Sequence, residues 1–113
     1  MPRQDQNEKH IARVIRRCLE NGTIQWRKHA HQRMLERGID RKLVVETLKS
    51  GECIKEYADD TPYPSALFLG WQGKMPIHIV AASDADAGIV YIITVYVPDP
   101  KIFSEDFRKR RKE

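Results

Sequence analysis

The chain has 113 residues, 32% of them charged and 41% hydrophobic, with a formal net charge of +4. That is one domain's worth of chain with a modest core. Charges interrupt every apolar run well short of the ~18 residues of a membrane-spanning helix, so neither a span nor a signal peptide is expected, which argues for the cytoplasm. Mild basicity is compatible with a nucleic-acid partner but does not require one.

Taken in order, Ile11, Val14, Ile15, Cys18 and Leu19 recur at the helical period and predict an amphipathic helix from about Asn7 to Asn21. Arg13, Arg16, Arg17 and Glu20 fall mostly outside its apolar face, and Asn21-Gly22 is a stop signal. Residues 23–27, TIQWR, are β-prone and short, either a small strand or an extended lead-in, with Trp26 as a core anchor.

A second helix is predicted over 29–37, HAHQRMLER. Ala30, Met34 and Leu35 can bury, while His29, Arg33 and Arg37 stand one above the next at four-residue spacing. The arginines can hold charge, and His29 can also carry a proton near neutral pH. Gly38 can end this helix in a left-handed conformation. Asp40 can cap a third helix, about Asp40 to Lys49, that buries Leu43, Val44, part of Val45 and Leu48.

After Gly51 the period changes to that of strands: ECIKEY, ALFLGW, PIHIVAAS and IVYIITVYV, joined by short turns. The expected fold is α+β, with N-terminal helices packed on one face of a four-stranded antiparallel sheet. Pro98-Asp99-Pro100 ends the last strand, and FSEDFRKRRKE should form a short helix fraying into a basic tail, Arg108 to Lys112. That tail either solvates the chain end or attracts RNA or the ribosome in a salt-dependent way. A single domain, 1–113, is expected, divided into an N-terminal helix (1–22), a core (23–100) and the helix and tail (101–113).

Cys18 and Cys53 lack metal spacing and are expected to be buried free thiols. On a helix His29 and His31 point about 200° apart, so zinc and other metals are not expected. No glycine-rich phosphate loop or nucleophile-elbow motif is present.

The pattern HAxxRMxERGI, followed by a helix and Gly51-Glu52, then the PYPS turn, PIHIV and ITVYVPDP, resembles a small bacterial family described as a domain of unknown function, number 4258. The resemblance covers about residues 26–100. It implies a RelE-like, barnase- or colicin-like fold and hence a metal-independent endoribonuclease needing no cofactor, a toxin of a toxin–antitoxin pair. Its partners would be RNA, free or on the ribosome, and a cognate antitoxin such as a small zinc-finger protein. The family's marked polar positions fall here on His29, Arg33, Arg37, His78, Thr94 and Tyr96.

Cleaving RNA without a metal requires a base for the 2′-hydroxyl, cations for the phosphorane and an acid for the leaving 5′-oxygen. The residues available suggest His29 and His78 as the base and acid pair, Tyr96 as a further donor, Arg33 and Arg37 on the phosphate, and Thr94 in support. The hairpin register decides whether these meet. A three-residue loop, with 84 opposite 88, would set His78 opposite Thr94 with Tyr96 diagonal on the same face. A four-residue loop would pair His78 with Ile93 and turn Thr94 and Tyr96 to the other face. The alternative function is a non-catalytic module that binds nucleic acid or protein through the same cationic stripe.

Overall fold

The computed structural model describes residues 10–110. In chain order it contains α1 (His10–Asn21), β1 (Thr23–Trp26), α2 (Lys28–Arg37), α3 (Arg41–Ser50), β2 (Glu52–Tyr57), β3 (Ser65–Gln72), β4 (Met75–Asp84) and β5 (Ile89–Tyr96). The class is α+β, as the change of period at Gly51 predicts. Residues 7–9 of the first expected helix lie outside the described residues.

The sheet has five strands, not four, in the order β1-β5-β4-β3-β2, and it is mixed. The β2–β5 meander is antiparallel as expected, but TIQWR adds a fifth strand parallel to β5, pairing Thr23 with Ile89 and Trp26 with Ile92. A parallel neighbour needs a long crossover, and everything from α2 through β4 supplies it. Four residues with one Thr and one Ile are too few for periodicity to announce such a strand.

One face of the sheet carries the core. Ala66 and Phe68 of β3, Ile77, Ile79 and Ala81 of β4, and Val90, Ile92 and Val95 of β5 pack against Ala12 and Ile15 of α1, Ala30 and Met34 of α2, and Val44 and Leu48 of α3. Burying a side chain of this kind is worth roughly 1.5–3 kcal/mol relative to leaving it exposed. Gly70 of β3 lets α3 come close, because a Cβ there would stand 2.6 Å from Cγ2 of the buried Thr47 and nearer still to its Oγ1.

Local signals set the helix ends. Gly38 ends α2 at φ 69°, with Ile39 N–H donating to the Met34 carbonyl at 2.9 Å. The Asp40 carboxylate caps α3 by accepting from Leu43 N–H at 2.9 Å. Trp26 packs at the margin of the core with the Arg41 guanidinium 5.0 Å from its ring. Leu35 departs from expectation and is 70% exposed. Its position is more than a quarter-turn from the Ala30–Met34 seam, and that seam is what faces the core and β5. Cys18 is buried, whereas Cys53 is half-buried.

The C-terminal segment is the second correction. Among the described residues no helix follows Pro98. Residues 98–110 fold through turns into a strap, closed by a bridge between Phe103 and Arg110 and by Ser104 N–H donating to the Lys109 carbonyl at 2.7 Å. Phe103 and Pro98 are buried. Phe103 and Phe107 stand at helical spacing, but one such pair is too little to hold a short helix, and the strap uses Phe103 to cover the sheet instead. Residues 111–112 of the expected basic run lie outside the described residues.

Candidate functional site

Alternation along the strands sends every second residue to the face opposite the helices. On that outer face stand Leu67 and Leu69 of β3, His78, Val80 and Ala82 of β4, and Tyr91, Thr94 and Tyr96 of β5. The register is neither of the two expected. Asp84 pairs with Ile89 across a four-residue turn, and a β-bulge then leaves Ile93 without a partner between Val80↔Thr94 and Ala81↔Ile92. The extra residue shifts the pairing by one and sets His78 directly opposite Tyr96, with Thr94 on the same face.

His78 is 0% exposed and both ring nitrogens are occupied. Nε2 lies 2.8 Å from the Phe107 carbonyl oxygen and Nδ1 lies 3.0 Å from the Tyr96 hydroxyl. A carbonyl only accepts, so the neutral ring carries its proton on Nε2 and accepts the Tyr96 O–H at Nδ1. The rings of Phe103 and Tyr96 meet the imidazole edge-on at 4.7 and 5.2 Å. Burial pushes the His78 pKa below the ordinary imidazole value, and the Phe107 carbonyl pulls weakly the other way. Burial raises the Tyr96 phenol, nearby Tyr57 adds to this, and the Arg110 charge opposes it. At neutral pH the pair is therefore a neutral imidazole accepting from a protonated phenol.

Tyr96 opens into a cleft of about 280 Å³ between β2 and the strap, lined by Lys55, Tyr57, Leu67, Phe103 and the run Arg108 to Arg110. Arg108 is taken by Glu52, whose carboxylate accepts from its Nε at 2.8 Å, and by Asp106. Lys55 lies 5.4 Å from the Tyr57 ring and Arg110 5.8 Å from the Phe103 ring. Among the described residues neither cation, nor Lys109, has a carboxylate partner. The cleft is thus a cationic pocket with a phenol backed by an imidazole on one wall.

The stripe on α2 forms as the spacing predicts. His29, Arg33 and Arg37 are exposed on one flank of a helix that packs along β5. Among the described residues none of the three side chains makes a hydrogen bond or ion pair, so Arg33 is not held by a structural carboxylate. The structure joins His78 to Tyr96 but does not bring His29 to them. α2 packs on the core face of the sheet whereas His78 stands on the opposite face, so the expected base and acid pair of His29 and His78 does not form. His31 is exposed.

The sequence matches the family model described as a domain of unknown function, DUF4258, over residues 26–97. The chain belongs to the DUF4258 family. The match takes in the α2 stripe, His78, Thr94 and Tyr96, and leaves out α1 and the strap. No curated protein and no solved structure matches the chain. Among the described residues of this DUF4258 protein, no helix is long and apolar enough to cross a membrane.

Lys55, Tyr57 and the Phe107 carbonyl escaped the sequence reading. A β-bulge around Ile54 breaks the alternation of ECIKEY, sending Cys53 to the core and Lys55 and Tyr57 to the outer face. A carbonyl acceptor on a turn has no residue-type signature, although the aromatic residues of the tail were a cue that it packs.

Proposed function

We propose that this DUF4258 protein is a metal-independent endoribonuclease acting at the cleft beside Tyr96. The observation that carries the reading is the Phe107–His78–Tyr96 chain of hydrogen bonds ending in a phenol on the wall of a cationic cleft. Tyr96 already gives its proton to Nδ1 of His78, so its oxygen is free to accept another. The 2′-hydroxyl of the substrate passes its proton to Tyr96 as the phenol proton moves to His78, and the Phe107 carbonyl steadies the imidazolium at Nε2. The 2′-oxygen then bonds to phosphorus, the P–O5′ bond breaks, and the 5′-oxygen takes a proton from Lys55. The products are a 2′,3′-cyclic phosphate and a 5′-hydroxyl. Arg110 and Lys109 face the phosphorane charge, while His29, Arg33 and Arg37, on the helical side of the sheet, hold phosphates farther along the strand where it passes round the β1 edge.

In a cell such an activity suits a toxin restrained by an antitoxin, the role that the family resemblance implies. The test is to incubate purified protein with single-stranded RNA in chelator, with and without ribosomes. Cleavage should persist in chelator, leave cyclic phosphate ends and disappear with 2′-deoxyribose at the cut position. Dependence on a divalent metal, or cleavage of the deoxy substrate, would overturn the mechanism.

A second reading has its own observation. A histidine with no exposure and both nitrogens satisfied is also what a purely structural histidine looks like. On that reading the protein binds nucleic acid or a protein through its cationic surfaces without turnover. An RNA-binding protein with no cleavage under any of these conditions would establish it.

A further inference from the structure

The bulge at Ile93 has a second effect. Tyr91 and Tyr96 are five residues apart, an odd separation that would place them on opposite faces of a regular strand. The unpaired Ile93 resets the alternation, so Tyr91, opposite Ala82, shares the outer face with Tyr96, opposite His78. The strap covers the His78 end of this face. Toward the other end Tyr91 and Tyr63 lie half-buried, their rings nearly parallel at 7° with centroids 5.7 Å apart. The Arg27 guanidinium, just before α2, lies over the face of the Tyr91 ring, 5.1 Å from its centroid. Parallel pairing places Gln25 of β1 beside Tyr91, and both Gln25 and Arg27 are exposed.

The floor beneath is made of small residues, Ala82 and Ser65, which pair with each other. The Tyr63 hydroxyl donates to the Asp84 carboxylate at 3.0 Å, which fixes its ring in place. The pair of parallel rings is fixed, and the exposed Arg27 side chain that covers the Tyr91 face can swing from the ring to a phosphate as a base stacks in its place. Nothing in the RNA-cleaving reading uses it.

We infer that Tyr91 and Tyr63, with Arg27, form a stacking platform for an unpaired base of single-stranded RNA whose backbone continues to Tyr96. The inference deepens the proposed function and rests on it for the identity of the strand. Along β5 the platform lies about 16 Å from Tyr96, a few nucleotides of extended chain. Ring faces receive unpaired bases, whereas a duplex hides its base faces, so the site selects single strands. Arg27 supplies the complementary charge for the adjoining phosphate.

The test uses a fluorescent strand of about 12 nucleotides carrying 2′-O-methyl groups, which cannot be cleaved because the attacking hydroxyl is blocked. Anisotropy is measured for the strand alone and for the same strand annealed to its complement. Tyr91→Ala should weaken single-strand binding about 10-fold with little change for the duplex, and Tyr91→Phe should stay within about two-fold of the parent. Thermal melts establish that each variant is folded; Tyr63→Leu replaces Tyr91→Ala should the latter unfold. Unchanged binding by a folded Tyr91→Ala, or equal affinity of the parent for single strand and duplex, overturns the platform. Because the probe is uncleavable, that outcome is separate from failure of the parent to cleave ordinary RNA, which overturns the catalytic reading instead.

Discussion

Nε2 of His78 stands 2.8 Å from the carbonyl oxygen of Phe107, and this contact ties the protonation of a strand residue to the placement of the C-terminal strap. Phe107 holds a left-handed conformation at φ 60°, which costs a non-glycine residue on the order of 1–2 kcal/mol. The hydrogen bond to His78, and the edge contact between Phe107 and Trp71 at 6.1 Å, help hold it there.

A pH dependence of stability follows. Burial lowers the pKa of folded His78, so below ~6.5 the unfolded chain takes up a proton that the folded protein refuses. The stabilisation is complete above that pH, is lost as pH falls below it, and stops declining once the folded-state pKa is passed. Thermal melts between pH 7.5 and 5.5 should show a steeper fall in Tm for the parent than for His78→Gln. Equal slopes would mean that His78 is not the group responsible.

Arg16 offers a stability test in the helical layer. Its Nε donates to the Leu48 carbonyl at 2.9 Å and its Nη2 to the Gly51 carbonyl at 2.7 Å, closing the C-terminal end of α3 from α1. Arg16→Met should cost about 2 kcal/mol, the scale for hydrogen bonds from a charged donor. Arg16→Lys should recover little, because an ammonium cannot reproduce the planar fork. Chemical denaturation measures both variants.

Gly70 and Thr47 should show coupling. Gly70→Ala places a methyl against the Thr47 side chain and should destabilise by about 1–3 kcal/mol. Thr47→Ala removes Oγ1 and Cγ2, the two nearest of the three atoms in the way, so the double variant should lose less than the sum of the two singles. Strict additivity would contradict this close approach.

What could be read from the sequence divides along physical lines. The α1, α2 and α3 segments and the four longer strands were legible because each carries a full period, and Gly38 and Asp40 were legible because their roles are local. The stripe of His29, Arg33 and Arg37 follows from helical spacing alone. The parallel pairing of β1, a segment the sequence left open as a short strand, and the strap were not legible, since both depend on partners distant in sequence. The bulges at Ile54 and Ile93 had the largest consequence. Each is a single unpaired residue that leaves composition untouched yet reverses which side chains share a face, and it brings Lys55, Tyr57 and Tyr96 to the outer face.

The α2 stripe yields a separable prediction. Arg33 and Arg37 are exposed, and among the described residues neither is paired with a carboxylate, so Arg33→Lys should leave Tm unchanged within about 1 °C. RNA affinity should nonetheless fall, because lysine lacks the bidentate fork for phosphate. A drop in Tm with intact RNA binding would assign Arg33 to the fold.

The measurement that bears most directly on the central claim is the single-turnover cleavage rate of Tyr96→Phe on saturating single-stranded RNA. The variant keeps the ring against His78 and loses only the hydroxyl that accepts the 2′ proton. The rate should fall roughly 10²–10⁴-fold with RNA affinity preserved, the usual loss for a proton-transfer group. A folded Tyr96→Phe protein that cleaves at the parental rate would contradict the account.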